Sequence, residues 1–402
     1  MSQKKRSSYL MFGLLYFAQG TVLSYFTALN AIYFLSKGLT MSDVGVFASI
    51  ALVPFVIKIF LGMLSDKVNL FHMGHRKPYI MIGLIIQALC LIAAPFIDPA
   101  SAYWGFVALA FVLQMAMALY DTCTDGLALD TIPEEEQGTI QSFMVGGRAL
   151  GVVITASIVG LLAEYVSWLA VFWLLAVFTL LPLPMVLRLR EAARPIEREF
   201  DWGAFRAFKH KAVIALAGLG FVIFFIIAGA NQMVNPFLQT EFGIALSTAG
   251  LITTVWGIGV VLGGVAGGAF INRLGSHNAS RTALLVTFVA VLALALTPNT
   301  LLAWPVVAVF GLAYGVCQTL YYALSMNFTD PRIAASMFSI LMAVVNVAQG
   351  VGMAVGGGLT DAVGFRWTFV IIATVNVLAL PLLPIVFKGK STNRDVRLVN
   401  SD

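Results

Sequence analysis

The sequence predicts an all-α membrane protein with twelve transmembrane helices in two pseudo-symmetric halves of six. Hydrophobic residues make up 60% of the 402 residues and charged residues only 11%, whereas soluble domains carry about 25% charged residues. The apolar residues occur in runs of the length that a bilayer requires, about 20 residues each. A polar segment at 188–211 separates six such runs from six others, which predicts the two halves.

The spans follow one another with short polar connections. The first six predicted spans are 9–35, 43–65, 78–97, 103–129, 139–163 and 167–187, and the second six are 212–238, 247–272, 281–298, 302–327, 335–360 and 367–387. The predicted organisation is therefore an amino-terminal half at 1–187, a cytoplasmic linker at 188–211, a carboxy-terminal half at 212–388 and a cytoplasmic tail at 389–402.

The linker has two open interpretations. Phe200, Trp202, Phe205 and Phe208 lie among basic residues, which suits an amphipathic segment lying on the inner membrane surface. A loosely ordered linker fits the same residues equally well.

The distribution of basic residues predicts the orientation in the membrane. All but four of the 24 lysines and arginines lie in segments that are cytoplasmic if both termini are cytoplasmic. Of the four, Lys37 and Arg366 fall outside, and Lys58 and Arg148 fall within spans. The positive-inside rule therefore predicts a multi-pass protein of the cytoplasmic (inner) membrane, embedded in the lipid bilayer, with both termini inside. The chain has no basic aromatic patch, so we expect no nucleic-acid partner.

The two halves repeat a short motif. The second span ends in Gly-x-x-x-Asp-Lys at Gly62–Lys67, and the eighth ends in Gly-x-x-x-Asn-Arg at Gly268–Arg273. Asp130 and Asn327 each lie near a turn proline, which aligns the fourth and tenth spans. This register pairs charged residues with neutral ones: Asp121 with Gln318, Lys58 with Gly264, and Arg148 with the region of Asn346. We expect such an asymmetry where one half couples to an ion and both halves shape the solute cavity.

Three charged residues fall at one depth inside the spans. At 1.5 Å per helical residue, Lys58, Asp121 and Arg148 should each lie about 12–15 Å above the inner boundary. A charge at the centre of a membrane helix costs roughly 2.5–3.5 kcal/mol, so opposite charges at one depth should neutralise one another.

We interpret Asp121 as the protonatable coupling residue. Arg148 or Lys58 would compete with the proton for Asp121, and protonation would release the cation to bind an anionic solute. Asp125, one turn nearer the cytoplasm, would be a relay for the proton or a hydrogen bonder in helix packing. The alternative for Asp121 is a static ion pair that joins three spans. The acidic turn at Asp130 and Glu134–Glu136 is predicted to be solvated.

Several motifs resemble those of the major facilitator superfamily. The Gly-x-x-x-Asp-Lys loop ends in Gly74-His75-Arg76-Lys77, the pattern of glycine, acid and basic residues between the second and third spans of that family. The loop here is a few residues longer, which is similar to a branch that includes muropeptide permeases, acetyl-CoA transporters and siderophore importers. The same branch resembles this chain in three further motifs. The second span has a proline, lysine and aspartate arrangement at Pro54, Lys58 and Asp66. The fourth span has Asp-Thr-x-Thr-Asp-Gly, with Asp121, Asp125 and Gly126, and the fifth has Gly-Arg-x-x-Gly, with Gly147, Arg148 and Gly151. A related branch, which handles bacteriochlorophyll-protein assembly, shares similar motifs.

The resemblance implies a gate and a cavity. The gating loop would include Gly62, Asp66, Arg76 and Lys77, with Asp66 near the start of a helix of the other half in the outward-open state. Spans one, four, seven and ten line the cavity in this family, and the polar side chains they carry here are the candidates for binding solute. With Asn346 from the register above, these are Gln19, Tyr25, Asn30, Gln114, Asn231, Gln232, Asn235, Gln318, Tyr321 and Tyr322. Hydrogen bonding between helices is the alternative role for each.

The predicted function is secondary active transport by alternating access. The chain has no phosphate-binding loop, no H-E-x-x-H and no serine elbow, so we expect no enzyme, cofactor or metal site. The solute would be a small organic anion or amphipathic conjugate, taken up by symport with a proton in preference to sodium, and the protein would be a monomer. The alternatives are a proton-driven exporter of drugs or lipids and a non-transporting assembly or pigment-delivery protein.

Overall fold

A computed structural model describes residues 3–70, 73–189, 191, 209–328 and 334–387. Most of the predicted linker, with the four aromatic residues of its proposed amphipathic segment, lies outside these ranges. The predicted tail at 389–402 lies outside them too.

Helices are the regular elements of the described ranges. They are α1 Gln3–Ala28, α2 Asn30–Ser36, α3 Met41–Val56, α4 Lys58–Lys67, α5 Lys77–Ala93, α6 Tyr103–Thr131, α7 Glu134–Tyr165, α8 Trp168–Leu180, α9 Leu183–Arg188, α10 Lys211–Phe242, α11 Leu246–Ala295, α12 Thr300–Phe328, α13 Ala334–Val363 and α14 Phe365–Thr374, with 3₁₀ turns at Ala94–Phe96 and Val375–Ala379.

The prediction of twelve spans is confirmed. Within the described residues, twelve helical segments are long and apolar enough to cross a membrane. They run Ser7–Ala28, Met41–Lys67, Lys77–Phe96, Tyr103–Thr131, Ser142–Tyr165, Trp168–Arg188, Lys211–Phe242, Leu246–Ile271, Arg273–Ala295, Thr300–Met326, Met337–Val363 and Phe365–Phe387. Without water in the bilayer core, helices satisfy every backbone N–H and C=O within one segment, which explains why apolar runs of this length become helices.

Several spans contain a break with a local cause. Pro54 lies inside α3, where it has no N–H to donate and its ring displaces the carbonyl one turn back. The helix ends two residues later at Val56, and α4 restarts at Lys58. In α11, Gly275 has φ 72° and ψ 155°, a conformation with positive φ that favours glycine and separates the eighth and ninth spans.

The chain forms two compact units. Each contains one or more short segments from the part of the sequence that mainly forms the other unit. One unit holds residues 1–39, 50–199 and 238–257, and the other holds 40–49, 200–237 and 258–402. The beginning of the second span, at 40–49, thus belongs to the unit formed mainly by the carboxy-terminal part of the chain. The end of the seventh span and the beginning of the eighth, at 238–257, belong to the unit formed mainly by the amino-terminal part. The predicted halves divide the chain by sequence position, and they remain a prediction.

In the first unit, glycines let α1 and α7 approach closely. A Cβ on Gly147 would lie under 3.0 Å from the backbone of Gly13, and a Cβ on Gly20 would lie that close to the backbone of Arg148. Small residues on facing helices allow this approach in membranes, where dispersion contacts replace the hydrophobic effect as the driving force.

In the second unit, the core lies among α10, α11, α12 and α13. Phe224, Cys317, Tyr321 and Leu341 are fully buried there. The hydroxyl of Thr287 lies 2.9 Å from the Cys317 sulfur, so this polar side chain of α11 is satisfied within the core.

Candidate functional site

A partly buried ion pair joins α4 and α6 in the first unit. Lys58 Nζ lies 3.5 Å from Asp121 Oδ2. Gln19 of α1 donates from Nε2 to the other carboxylate oxygen of Asp121 at 2.6 Å. Asp121 is 7% exposed, whereas the Lys58 side chain keeps 30% of its surface accessible. The structure therefore brings Lys58 and Asp121 together, and Gln19 donates a hydrogen bond to the same carboxylate.

A second carboxylate lies one turn along α6. Asp125 accepts a hydrogen bond from the hydroxyl of Tyr16, which lies one turn before Gln19 on α1. Two polar side chains of α1 therefore hold two carboxylates of α6, one to each. Tyr16 is not among the residues predicted from the sequence. It lies three positions before Gln19, and residues three apart share a helix face, so this spacing could have indicated it.

The break after Pro54 determines where Lys58 lies. Lys58 is the first residue of α4, and the positive end of the helix dipole disfavours a cation there. The carboxylate of Asp121 offsets this repulsion. A continuous second span would have placed Lys58 in mid-helix, so the proline explains both the bend and the local electrostatics.

Arg148 does not join this pair. Its side chain is exposed, and no carboxylate among the described residues lies within ion-pair distance of it. The observed ion pair thus joins the second and fourth spans through Lys58 and Asp121. Arg148, on α7 in the fifth span, lies outside it.

The motif that ends the second span forms a separate cluster around Arg76. The Arg76 guanidinium lies 2.7 Å from Asp66 and 3.2 Å from Asp130, and Nη1 donates to Ser65 Oγ at 2.6 Å. Arg76 is 5% exposed. Gly126 leaves room for it, since a Cβ there would lie 2.5 Å from the Arg76 Cζ. The cluster connects α4, the start of α5 and the end of α6.

The prediction of a solvated acidic turn was wrong for two of its residues. Asp130 is partly buried because it binds Arg76, and Glu136 accepts a hydrogen bond from the Tyr9 hydroxyl at 2.6 Å. Both partners are distant in the sequence, so the local acidic pattern could not indicate them. The side chains of Glu134 and Glu135 lie outside the described residues.

Glu191 caps α5, which sequence analysis missed. Its carboxylate accepts from the backbone N–H groups of His75, Arg76 and Lys77 at 2.9–3.1 Å. Lys77 in turn donates to two backbone carbonyls at the end of α9.

The predicted gating residues all have defined neighbours. Asp66 and Arg76 form an ion pair, and Lys77 binds the end of α9. Gly62 lies against α6, where its Cβ would meet Thr122 Cγ2 at 3.1 Å.

The cavity candidates of the first unit divide into two groups. Gln19 belongs to the Asp121 cluster. Tyr25, Asn30 and Gln114 are buried, and Tyr25 Oη, Asn30 Oδ1 and Gln114 Oε1 have no hydrogen-bond partner among the described residues. Buried oxygens of this kind are costly to leave unpaired. The two amide oxygens can accept a hydrogen bond from a solute, and the tyrosine hydroxyl can also donate one.

Several candidates of the second unit bond to other side chains or to the backbone of that unit. Gln232 donates to the Met353 carbonyl at 3.2 Å, a bond between α10 and α13. Gln318 donates to Tyr322 one turn away, and Asn346 accepts from Gln349. Asn235 and Tyr321 are buried, while Asn231 is partly exposed. No group of three or more His, Cys, Asp or Glu in the described ranges is arranged to hold a metal ion.

Comparison with known proteins identifies the family. A sequence profile of the Major Facilitator Superfamily matches residues 8–341. The chain belongs to the major facilitator superfamily. The anhydromuropeptide permease of Escherichia coli (strain K12) is 24% identical over 95% of this chain and 79% of its own length. The folate-biopterin transporter of Synechocystis sp. (strain ATCC 27184 / PCC 6803 / Kazusa) is 25% identical over 95% of this chain and 82% of its own.

Solved structures agree with the family fold. A crystal structure of a mutant of the nucleoside transporter NupG superposes with a TM-score of 0.81 at 17% identity, covering 94% of this chain and 99% of that chain. The predicted resemblance to muropeptide permeases and the predicted fold class are confirmed. This facilitator is a membrane transporter of small solutes and not an enzyme.

Proposed function

We propose that this facilitator takes up a small organic anion or amphipathic conjugate by symport with protons, through alternating access. It would lie in the cytoplasmic membrane with both termini inside, as the distribution of basic residues indicates. The observation that carries the proposal is the Lys58–Asp121 pair, in which Asp121 also accepts a hydrogen bond from Gln19 inside the first unit. The relatives named for an anhydromuropeptide and for folate and biopterin support an organic solute.

The geometry of the pair suits exchange between a proton and a solute. The 3.5 Å separation of Lys58 and Asp121 is longer than the 2.7–2.9 Å of a tight charge-assisted hydrogen bond. Protonation of Asp121 would remove the negative charge that pairs with Lys58, whose side chain is 30% accessible. The Lys58 ammonium group would then bind an anionic group of the solute. Return of Lys58 to Asp121 would then favour release of the proton.

Asp125 supplies a second site for the proton. It lies one turn from Asp121, and two ionised carboxylates at that spacing repel each other. A proton can therefore pass between the two carboxylates while Tyr16 keeps Asp125 oriented by its hydrogen bond. Asp121 is the coupling residue of the proposal, because it is the carboxylate in contact with a cation.

The test is solute-induced proton movement in proteoliposomes that contain the wild type, Asp121→Asn or Asp98→Asn. Muropeptides, siderophores, acyl-CoA and lipophilic cations are screened as solutes. Asp98 is a matched control, an exposed carboxylate that pairs with Lys37 at 3.3 Å away from the cluster. We expect the wild type and Asp98→Asn to take up protons with an anionic solute. Asp121→Asn should bind the same solute but move no protons.

Three results would contradict the proposal. Normal proton movement by Asp121→Asn would make the ion pair structural and point to Asp125. Proton movement opposite to that of a cationic or apolar solute would favour the proton-driven exporter. Solute uptake that depends on a sodium gradient and not on a proton gradient would show that sodium is the coupling ion.

A further inference from the structure

The helix that carries Asp121 presents a second polar side chain to another neighbour. Tyr120 directly precedes Asp121, so the two side chains leave α6 about 100° apart around its axis. Tyr120 is fully buried and packs on α5, where a Cβ on Gly83 would lie 2.8 Å from the Tyr120 Cβ. Asp121 therefore contacts α4 and α1, through Lys58 and Gln19, while Tyr120 contacts α5.

Two buried oxygens at the contact between α5 and α6 are left unpaired. Gln87 of α5 is close enough to the Tyr120 hydroxyl to interact with it, but the geometry closes no hydrogen bond between them. Neither Tyr120 Oη nor Gln87 Oε1 has a hydrogen-bond partner among the described residues, and both side chains are fully buried. Unpaired groups of this kind are costly in a protein interior, so the arrangement requires an explanation.

Gln87 is only weakly held on its other side. Its Nε2 donates to Thr179 of α8 at 3.4 Å, beyond the 2.9–3.0 Å that is usual for an N–H···O bond. Gly83 lies one turn before Gln87 and brings the backbones together, since a Cβ there would lie 2.7 Å from the Ala116 carbonyl oxygen. A small rotation of α6 or of the amide is therefore enough for Tyr120 to donate to Gln87 Oε1.

The corresponding contact in the second unit is closed. In the register that pairs Asp121 with Gln318, Tyr120 corresponds to Cys317. The Thr287 hydroxyl, on the preceding span, lies 2.9 Å from the Cys317 sulfur, and both side chains are buried. The contact is thus made where the next residue of the helix is uncharged, and it is open where that residue is a carboxylate paired with a cation.

We propose that Tyr120 is a positioning residue for the coupling step, and that its hydroxyl donates to Gln87 when Asp121 is protonated. The proposal rests on the proposed function, in which a proton releases Asp121 from Lys58. While the ion pair is made, it holds α6 toward α4 and the contact between Tyr120 and Gln87 stays open. Once the charge is lost, α6 turns toward α5, and the new hydrogen bond stabilises the released arrangement.

The test asks whether the Tyr120 hydroxyl stabilises the chain only when residue 121 is neutral. Thermal unfolding of the full chain in detergent, without solute, is compared for Tyr120→Phe in the wild type and in Asp121→Asn. In the wild type the hydroxyl has no partner, so its removal should preserve or raise the unfolding temperature. In Asp121→Asn, which imitates the protonated carboxylate, the same change should lower it by about 1–2 °C, the effect of one lost hydrogen bond.

A second substitution tests the bond itself. Gln87→Leu removes the acceptor. In Asp121→Asn, the losses from Tyr120→Phe and Gln87→Leu should not add, because both changes remove the same bond, whereas in the wild type the two effects should add. If Asp121→Asn does not fold, Lys58→Gln takes its place as the background, since it releases Asp121 from the side of the cation.

Two controls separate this contact from general effects. Tyr79 is also buried on α5, and its hydroxyl donates to the Val68 carbonyl at 3.0 Å. Tyr79→Phe should therefore lower the unfolding temperature equally in the wild type and in Asp121→Asn. Asp98→Asn removes an exposed carboxylate that pairs with Lys37, and in this background Tyr120→Phe should behave as it does in the wild type.

A change of the same sign in both backgrounds would overturn the proposal, because a purely structural tyrosine does not respond to the charge at residue 121. A reversal in Asp98→Asn, or additive losses from Tyr120→Phe and Gln87→Leu in Asp121→Asn, would overturn it too. None of these measurements needs a solute or an ion gradient. Normal proton movement by Asp121→Asn would contradict coupling through Asp121 and leave these temperatures unaffected, so the two proposals can fail separately.

Discussion

In the proposed mechanism, the positive charge of Lys58 binds the solute only when Asp121 is neutral. Replacing Lys58 with Gln keeps a polar side chain and removes the charge, so the affinity for an anionic solute should fall about tenfold or more, the effect of losing roughly 1.4 kcal/mol. The affinity for an uncharged analogue should change little. Titration calorimetry with both ligands measures the difference.

Lys37→Gln is the control for this substitution. Lys37 is also partly exposed and paired with an aspartate, Asp98, but it lies in the loop between the first and second spans. Equal losses of affinity in both variants would indicate a general electrostatic effect of the protein and not a contact at Lys58.

Two neighbouring glycines of α7 should respond in opposite ways to alanine. Gly147 lies against the backbone of Gly13, while Gly146 has no atom within 4 Å of the position that a Cβ would take. Gly147→Ala should lower the unfolding temperature by several degrees, because an added methyl in a tight contact costs about 1–3 kcal/mol. Gly146→Ala should preserve or slightly raise it, since alanine favours helix by up to about 1 kcal/mol. Thermal unfolding in detergent tests both, and equal midpoints would contradict the close packing of α1 and α7.

The start of α5 depends on Glu191, which approaches from beyond the sixth span. Glu191→Ala leaves three backbone N–H groups without an acceptor, and loss of a cap costs about 1 kcal/mol. We expect faster hydrogen exchange at the first turn of α5 and a modest fall in the unfolding temperature. Glu191→Gln should lie between the two, because the amide retains one oxygen. Exchange in Glu191→Ala equal to that of the wild type would show that water replaces the cap fully.

Arg76 links α4, α5 and α6 through two carboxylates, and a double-mutant cycle isolates this link. Arg76→Gln and Asp130→Asn should each destabilise the protein, and the double variant should lose less than the sum, since each single change already removes the attraction between the two charges. The coupling should lie in the range of about 0.5–3 kcal/mol. Additive losses would mean that Arg76 and Asp130 stabilise the fold independently.

The orientation of the whole chain is testable by labelling from one side of the membrane. Ala100 lies in the loop between the third and fourth spans and Asn278 near the turn between the eighth and ninth, and both are exposed. An impermeant maleimide added outside intact cells should label Ala100→Cys and leave Asn278→Cys unlabelled until the membrane is opened. The reverse pattern would contradict the cytoplasmic placement of both termini.

The number and position of the spans could be predicted from the sequence because the bilayer imposes length and polarity on each helix separately. Lys58 and Asp121 could also be placed at one depth, since helical rise converts sequence position into height. Both inferences use properties of single segments. The same arithmetic placed Arg148 at that depth, but height along a helix does not indicate which side chains face each other.

Pairing between distant segments was decided by the tertiary structure alone. Asp130 binds Arg76 across 54 positions of sequence, Glu191 caps a helix 114 positions before it, and Asp361 caps one 320 positions before it. A surface acid looks the same in sequence whether it faces water or a helix end. Composition and periodicity record the solvent that each residue prefers, whereas partners depend on how helices cross, which is determined by packing at glycines such as Gly147.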